Sequence, residues 1–237
     1  MDSAAQALVP GTCDMVLILQ TAHDTEDPKD LASKIAESLT PNGTLAVVQR
    51  SLYCKVIDNK RVAQLVEYLY ADCVHIIESA DGIMYIYGEP EGDQFVRRLC
   101  QSQTGLDWLP LQEQDFIQDV TKRILINAPS GTRAAFGIPN LDLGGSRSVD
   151  VNPVHRRYHY DEESEHGAGW CQRVTARYFG QVVEQMMGHL EGLREWEGII
   201  LRLEAIDAAM NQLAPDEDGK HTVTVQLSAA VLLATKK

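Results

Sequence analysis

The chain has 237 residues, with 34 acidic against 21 basic side chains and a formal net charge of −13. That balance repels a phosphate backbone and an anionic lipid surface, so neither nucleic acid nor a membrane is an expected partner. Hydrophobic residues make up 44% and charged residues 23%, ordinary proportions for a globular domain with a core. No apolar run reaches the roughly 18 residues that span a bilayer. The opening MDSAAQALVPGT lacks the basic start and long apolar stretch of a secretory signal. The five cysteines form no CxxC pair, and an odd count argues for reduced thiols, so the expected location is cytoplasmic.

In chain order, DMVLILQ at 14–20 is an uninterrupted apolar run, the pattern of a strand buried on both faces of a parallel sheet. Asp27 and Pro28 open a helix, with Leu31, Ile35 and Leu39 on one face. PNG at 41–43 ends it, and TLAVVQ at 44–49 is a second buried strand. Together, 14–50 form a βαβ unit. Val62, Leu65, Val66 and Leu69 predict a helix over 59–70, and 95–100 predicts another; 73–87 fits strand or helix. A short strand is expected at 123–127 and a long loop, rich in glycine and proline, at 128–153. Amphipathic helices follow at about 175–190 and 194–213, the second ended by PDEDG at 215–219. The stretch 221–235 alternates and then turns apolar, as a long strand returning to the sheet would.

The stretch CDMVLILQTAHDTEDPKDLASKIAESLTPNGTLAVVQRSLYC at 13–54 resembles small-molecule methyltransferases of the trans-aconitate methyltransferase type found in fungi. Matching features are Asp14 before the apolar run, His23 after it, the LTPNGT turn at 39–44, and Ser51 with Tyr53 after the second strand. GLD at 105–107 through Phe116, 123–127, Gly169 with Trp170, and LLATK at 232–236 are similar to later pieces of the family. The resemblance implies an α/β fold: the remnant of a Rossmann-like class I methyltransferase domain from its fourth strand (β4-αD-β5) onward, with helical substrate-binding insertions. The expected organisation is a single domain over 1–237, with a core unit at 14–50, a substrate-side insertion at 55–170, and helices plus a closing strand at 171–237. The first three strands of that family, which seat S-adenosylmethionine, have no counterpart ahead of Asp14. The resemblance therefore implies no cofactor and the loss of methyl transfer. Asp24 stands where the family commonly has an aromatic residue. LDLGGS at 141–146 only superficially resembles a cofactor loop; a surface loop is the expected reading.

The loops after parallel strands open at the carboxyl edge of a sheet, where such folds bind ligands. His23, Asp24, Arg50 and Tyr53 are expected to converge there, with His23 as a base near neutral pH and Arg50 contacting substrate. HRRYHYDEESEH at 155–166 adds His155, Tyr158 and His159, candidates to move protons or stabilise an enolate without a cofactor. On a helix His155 and His159 would share a face like metal ligands, but the HExxH order is absent and a solvated loop is the simpler reading. Trp108, Phe136, Trp170 and Met186 are candidate walls of an apolar substrate cavity.

The expected function is a cofactor-independent cyclase or isomerase, a pericyclase in one version, acting on an apolar small-molecule natural product of secondary metabolism. The alternatives are a S-adenosylmethionine-dependent methyltransferase completed by a partner chain, or a silent pseudo-methyltransferase that only binds. Without three preceding strands, 14–20 would be an apolar sheet edge, and a homodimer is expected to cover it.

Overall fold

The computed structural model describes residues 9–20, 25, 27–77, 106, 109–127, 156–160, 169–187 and 196–237. The fold is mixed α/β. The elements are β1 (Cys13–Leu19), α1 (Pro28–Ser38), β2 (Leu39–Val56), α2 (Lys60–Ile77), β3 (Lys122–Ile126), β4 (Arg156–Tyr160), β5 (Cys171–Val174), α3 (Ala176–Met187), α4 (Trp196–Met210) and β6 (Val223–Thr235). The sheet runs β1-β2-β6-β3-β4, and β5 pairs with the early part of β6. β1 lies parallel to β2 and β3 parallel to β4, while β6 is antiparallel to both β2 and β3. The first four strands therefore share one direction and present their carboxyl ends on one edge.

The βαβ unit forms where the apolar runs predict, but β1 is not buried on both faces: Ile18 points into the core while Met15, Leu17 and Leu19 are exposed. Asp27 caps α1 by accepting hydrogen bonds from the Lys29 and Asp30 amides, and Pro28 takes the first helical position. Leu31, Ala32, Ile35 and Ala36 bury the inner face of that helix. The PNG turn does not separate helix from strand. β2 begins at Leu39 and absorbs the turn as an irregularity, with Asn42 at φ 65°. A Cβ on Gly43 would sit 2.8 Å from the Thr40 carbonyl oxygen, which explains a glycine there.

α2 starts from Asn59, whose side chain accepts from the Val62 amide, and runs on to Ile77. Residues 73–77 of the ambiguous stretch are therefore helical. The expected helix at 95–100 and the loop at 128–153 lie outside the described residues. Residues 156–160 form a strand in register with β3, so the one-turn helical spacing that would pair His159 with position 155 is not there. Charge hid this strand, because its alternation sets Tyr158 and Tyr160 on one side, stacked at 6.4 Å.

Two clusters form the core. Leu45, Val47, Ala230, Leu232 and Ala234 pack on one face of the sheet with α1, Leu106, Leu109, Leu111 and Phe116. Cys54, Val56, Val223, Val225 and Leu227 pack with α2, α3 and α4. In the first cluster Arg123, 2% exposed, donates to the Leu106 carbonyl at 2.6 Å and the Leu109 carbonyl at 3.1 Å. It ties the segment before β3 onto the sheet. β1 is an edge strand whose Met15, Leu17 and Leu19 are 61%, 53% and 54% exposed. No helix among the described residues is long and apolar enough to cross a membrane.

Candidate functional site

β2 is interrupted where it passes the carboxyl edge. Its register with β6 holds through Arg50↔Ala229, breaks, and resumes at Cys54↔Leu227, so residues 51–53 stand opposite Ser228. An extra length of strand bends the chain and aims side chains away from the ladder, a device common beside binding sites. Arg50 and Tyr53 flank this break. Both are half-buried, and Tyr53 packs on Tyr70 with ring centroids 5.1 Å apart.

Behind Tyr53 lies a buried thiol and phenol cluster. Tyr70, on α2, accepts from the Cys54 amide at 3.2 Å and meets the Cys54 sulfur at 3.4 Å. Tyr178, on α3, adjoins the same thiol, and its buried hydroxyl oxygen completes no full hydrogen bond. Burial pushes the Cys54 thiol up to about 11, against smaller lowering effects from Tyr70, Tyr178 and the charge on Arg50. Burial likewise raises Tyr53, with Glu67 and Cys54 adding to it, and raises Tyr70 and Tyr178. At neutral pH the thiol is therefore no nucleophile. The phenols keep their protons, which makes them hydrogen-bond and proton donors near the Arg50 charge, which acts on Cys54 and Tyr178.

A second polar group lines the other side of the break. Gln49, which alternates with Leu45 and Val47 on the α1 face, donates to Gln20 at 2.9 Å. Ser228 donates to the Asn127 carbonyl at 2.7 Å, and the Asn127 amide group donates to the Leu227 carbonyl at 3.1 Å. Gln20 and Asn127 end β1 and β3 in left-handed conformations, at φ 59° and 50°. Such backbone is uncommon for residues other than glycine, and here it turns the chain at the carboxyl edge.

Of the residues expected to act, Arg50 and Tyr53 come together. Trp170 is half-buried, and its carbonyl accepts from the Leu227 amide at 2.7 Å, across β6 from Cys54. Tyr158 lies under the Lys122 ammonium, 5.9 Å from the ring centre, on a strand three places from β2. At 4.7–4.9 Å per strand spacing that is roughly 14 Å away. His159 is on the same strand and Met186 in the last turn of α3. His23, Asp24, Trp108, Phe136 and His155 lie outside the described residues. Among the described residues, no group of three His, Cys, Asp or Glu side chains is placed to hold a metal.

Sequence reasoning missed Cys54, Tyr70, Tyr178, Gln49 and Gln226. The glutamines carried a signal, since each is a carboxamide inside a strand that is otherwise apolar or hydroxylic, TLAVVQ and VTVQLSAAV. The cluster around Cys54 carried none, because it joins residues 54, 70 and 178 only through folding. No family model and no curated protein matches the chain.

Proposed function

We propose that the chain is a Rossmann-like methyltransferase remnant that acts as a cofactor-independent cyclase or isomerase on an apolar small molecule. The βαβ unit of β1, α1 and β2, with the returning strand β6, supports the structural half of that reading. The chemical half is carried by one observation: Arg50 and Tyr53 flank a break in β2 at the carboxyl edge, backed by phenols that burial keeps protonated. A phenol that holds its proton can donate to a substrate carbonyl, and a neighbouring guanidinium stabilises the enolate or alkoxide that develops. His23, three residues past the end of β1's final turn residue Gln20, supplies the base in this scheme, with Asp24 beside it. Holding a flexible substrate near its reactive conformer supplies the rest of the acceleration, and no group is transferred.

The product of such a reaction has the mass of its substrate, whereas methyl transfer adds one CH2. Extracts of a host carrying the gene, compared with one lacking it, should therefore show a compound replaced by an isomer of equal mass. Replacement by a compound one CH2 heavier, or tight S-adenosylmethionine binding by the isolated chain, overturns the proposal. An unchanged profile favours a silent binding protein.

The open edge of β1 belongs to the same reading. A second copy pairing with this strand would extend the sheet past β1 and shield Met15, Leu17 and Leu19. Light scattering at micromolar concentration should give a dimer; a monomer removes this part. The same edge favours a second reading, in which a different chain adds strands beside β1 and the assembly carries out methyl transfer. The cofactor-binding measurement on the isolated chain and on any co-purifying partner separates the two.

A further inference from the structure

We infer that the cleft between the start of α3 and the loop after α4 binds a zwitterion, a carboxylate and an ammonium joined by a short apolar spacer, as in an ω-amino acid. The inference goes beyond the proposed reaction and does not rest on it.

The cleft has a volume of about 510 Å³, within the range of small-molecule sites. One wall is the end of β5 with the first turns of α3, and the other is the segment 216–222. Both walls are fixed. β5 is paired to β6 from Cys171↔Gln226 to Val174↔Val223. On the opposite side the Asp216 carboxylate accepts from the Asp218 amide at 3.0 Å, the Lys220 amide at 2.9 Å and the Thr222 hydroxyl at 3.3 Å. The Asp216 amide in turn donates to the Lys220 carbonyl at 2.8 Å, which closes the turn around Gly219 at φ 76°.

Six ionic side chains line the cleft, and pairing them off leaves two. Arg173 stands 4.0 Å from the Asp216 carboxylate, and Lys220 3.7 Å from that of Asp218. Arg177 and Glu217 are exposed, and neither has a hydrogen-bond or ion-pair partner among the described residues. They belong to opposite walls, one cation and one anion that do not meet. A simple anion in the cleft would be drawn to Arg177 and repelled by Glu217, and a simple cation the reverse, whereas a ligand with both charges satisfies both walls. A compact space of this volume is roughly 8 Å across, so the two charges need a spacer between them. The buried Val174 and the half-buried Tyr178 also line the cleft and offer that spacer apolar contact.

The probes are 6-aminohexanoate, hexanoate and hexylamine, titrated calorimetrically into the full chain at low salt. Exposed charges bind weakly, so 6-aminohexanoate should show a Kd on the order of 1 mM, with the two singly charged compounds at least about fivefold weaker. Arg177→Gln should bring 6-aminohexanoate down to the level of hexylamine, and Glu217→Gln to the level of hexanoate. Both side chains are exposed, so each variant should keep the wild-type melting temperature. Raising sodium chloride to about 0.5 M should weaken the wild-type binding several-fold. Absence of binding up to about 50 mM, equal affinity for the three compounds, or a preference that survives either substitution overturns the inference, and the charges then meet only water. Should a variant fail to fold, the three-way comparison on the wild type, at low and at high salt, decides by the same outcomes.

Discussion

Raising the pH should unfold this protein from the thiol side. Cys54 is 1% exposed and Cys73 is fully buried. Burial lifts Cys54 from an ordinary 9.0 to about 11 and Cys73 to about 12, with the Asp72 charge adding to the second shift. In the unfolded chain both thiols ionise near the ordinary value, while the folded protein keeps them protonated. Above pH 9 the unfolded state therefore binds fewer protons, and stability falls as pH rises. One pKa unit corresponds to about 1.4 kcal/mol, so each thiol removes on the order of 1 kcal/mol by pH 10 and about 2–3 kcal/mol by pH 11. Their sum is a large share of a typical 5–15 kcal/mol of stability. Below about pH 8 these two groups contribute almost no pH dependence. Urea unfolding at intervals from pH 7 to pH 10.5, followed by circular dichroism, measures the slope; Cys73→Ala, a smaller side chain without the ionisable group, should lower it by roughly a third, because Tyr53, Tyr70 and Tyr178, also raised by burial, contribute in the upper part of that range. A free energy of unfolding that stays level through pH 10.5, or a slope unchanged by the substitution, would refute the argument from burial.

Arg123→Met removes the donors to two buried carbonyls, and the variant should lose about 2–5 kcal/mol in urea unfolding, with faster proteolytic cleavage near Leu106 and Leu109 than in wild type. Tyr53→Phe removes a proton donor and little volume, so formation of the equal-mass product should fall about a hundredfold while the melting temperature shifts by only a few degrees. Leu17→Lys places a charge on the exposed edge strand and should convert the proposed dimer to a monomer in light scattering. Asp27→Ala removes the cap of α1 and should cost about 1 kcal/mol, measured by the same urea titration.

The βαβ unit was legible because its strands are continuous apolar runs and its helix carries its own cap. What determines those elements lies within a few residues. The extension of β2 to Val56 was not legible, because SLYCKV becomes strand only by pairing with residues 225–227, far along the chain. β5, with three of its four residues exposed, has no apolar pattern and exists by pairing with β6. Arg50 and Tyr53, expected in the loop after a strand at 44–49, lie inside β2 beside its break, at the level where β1 and β3 end. Tyr178 could not be named, because an amphipathic helix pattern tells which face is buried and not which residue of a distant strand it meets.

Strand β6 is the keystone of the sheet and the last of its strands to leave the ribosome. Among the described residues, β1 and β2 are hydrogen-bonded into one sheet with β3 and β4 only through it, in the order β1-β2-β6-β3-β4. During synthesis the two strand pairs therefore wait as separate pieces, each with an apolar side strand, β2 or β3, awaiting the same late arrival. Nascent chains stalled before residue 223 should depend on chaperones and be prone to cross-pairing between neighbours on a polysome, and release of the final segment should convert them to the native sheet in one cooperative step.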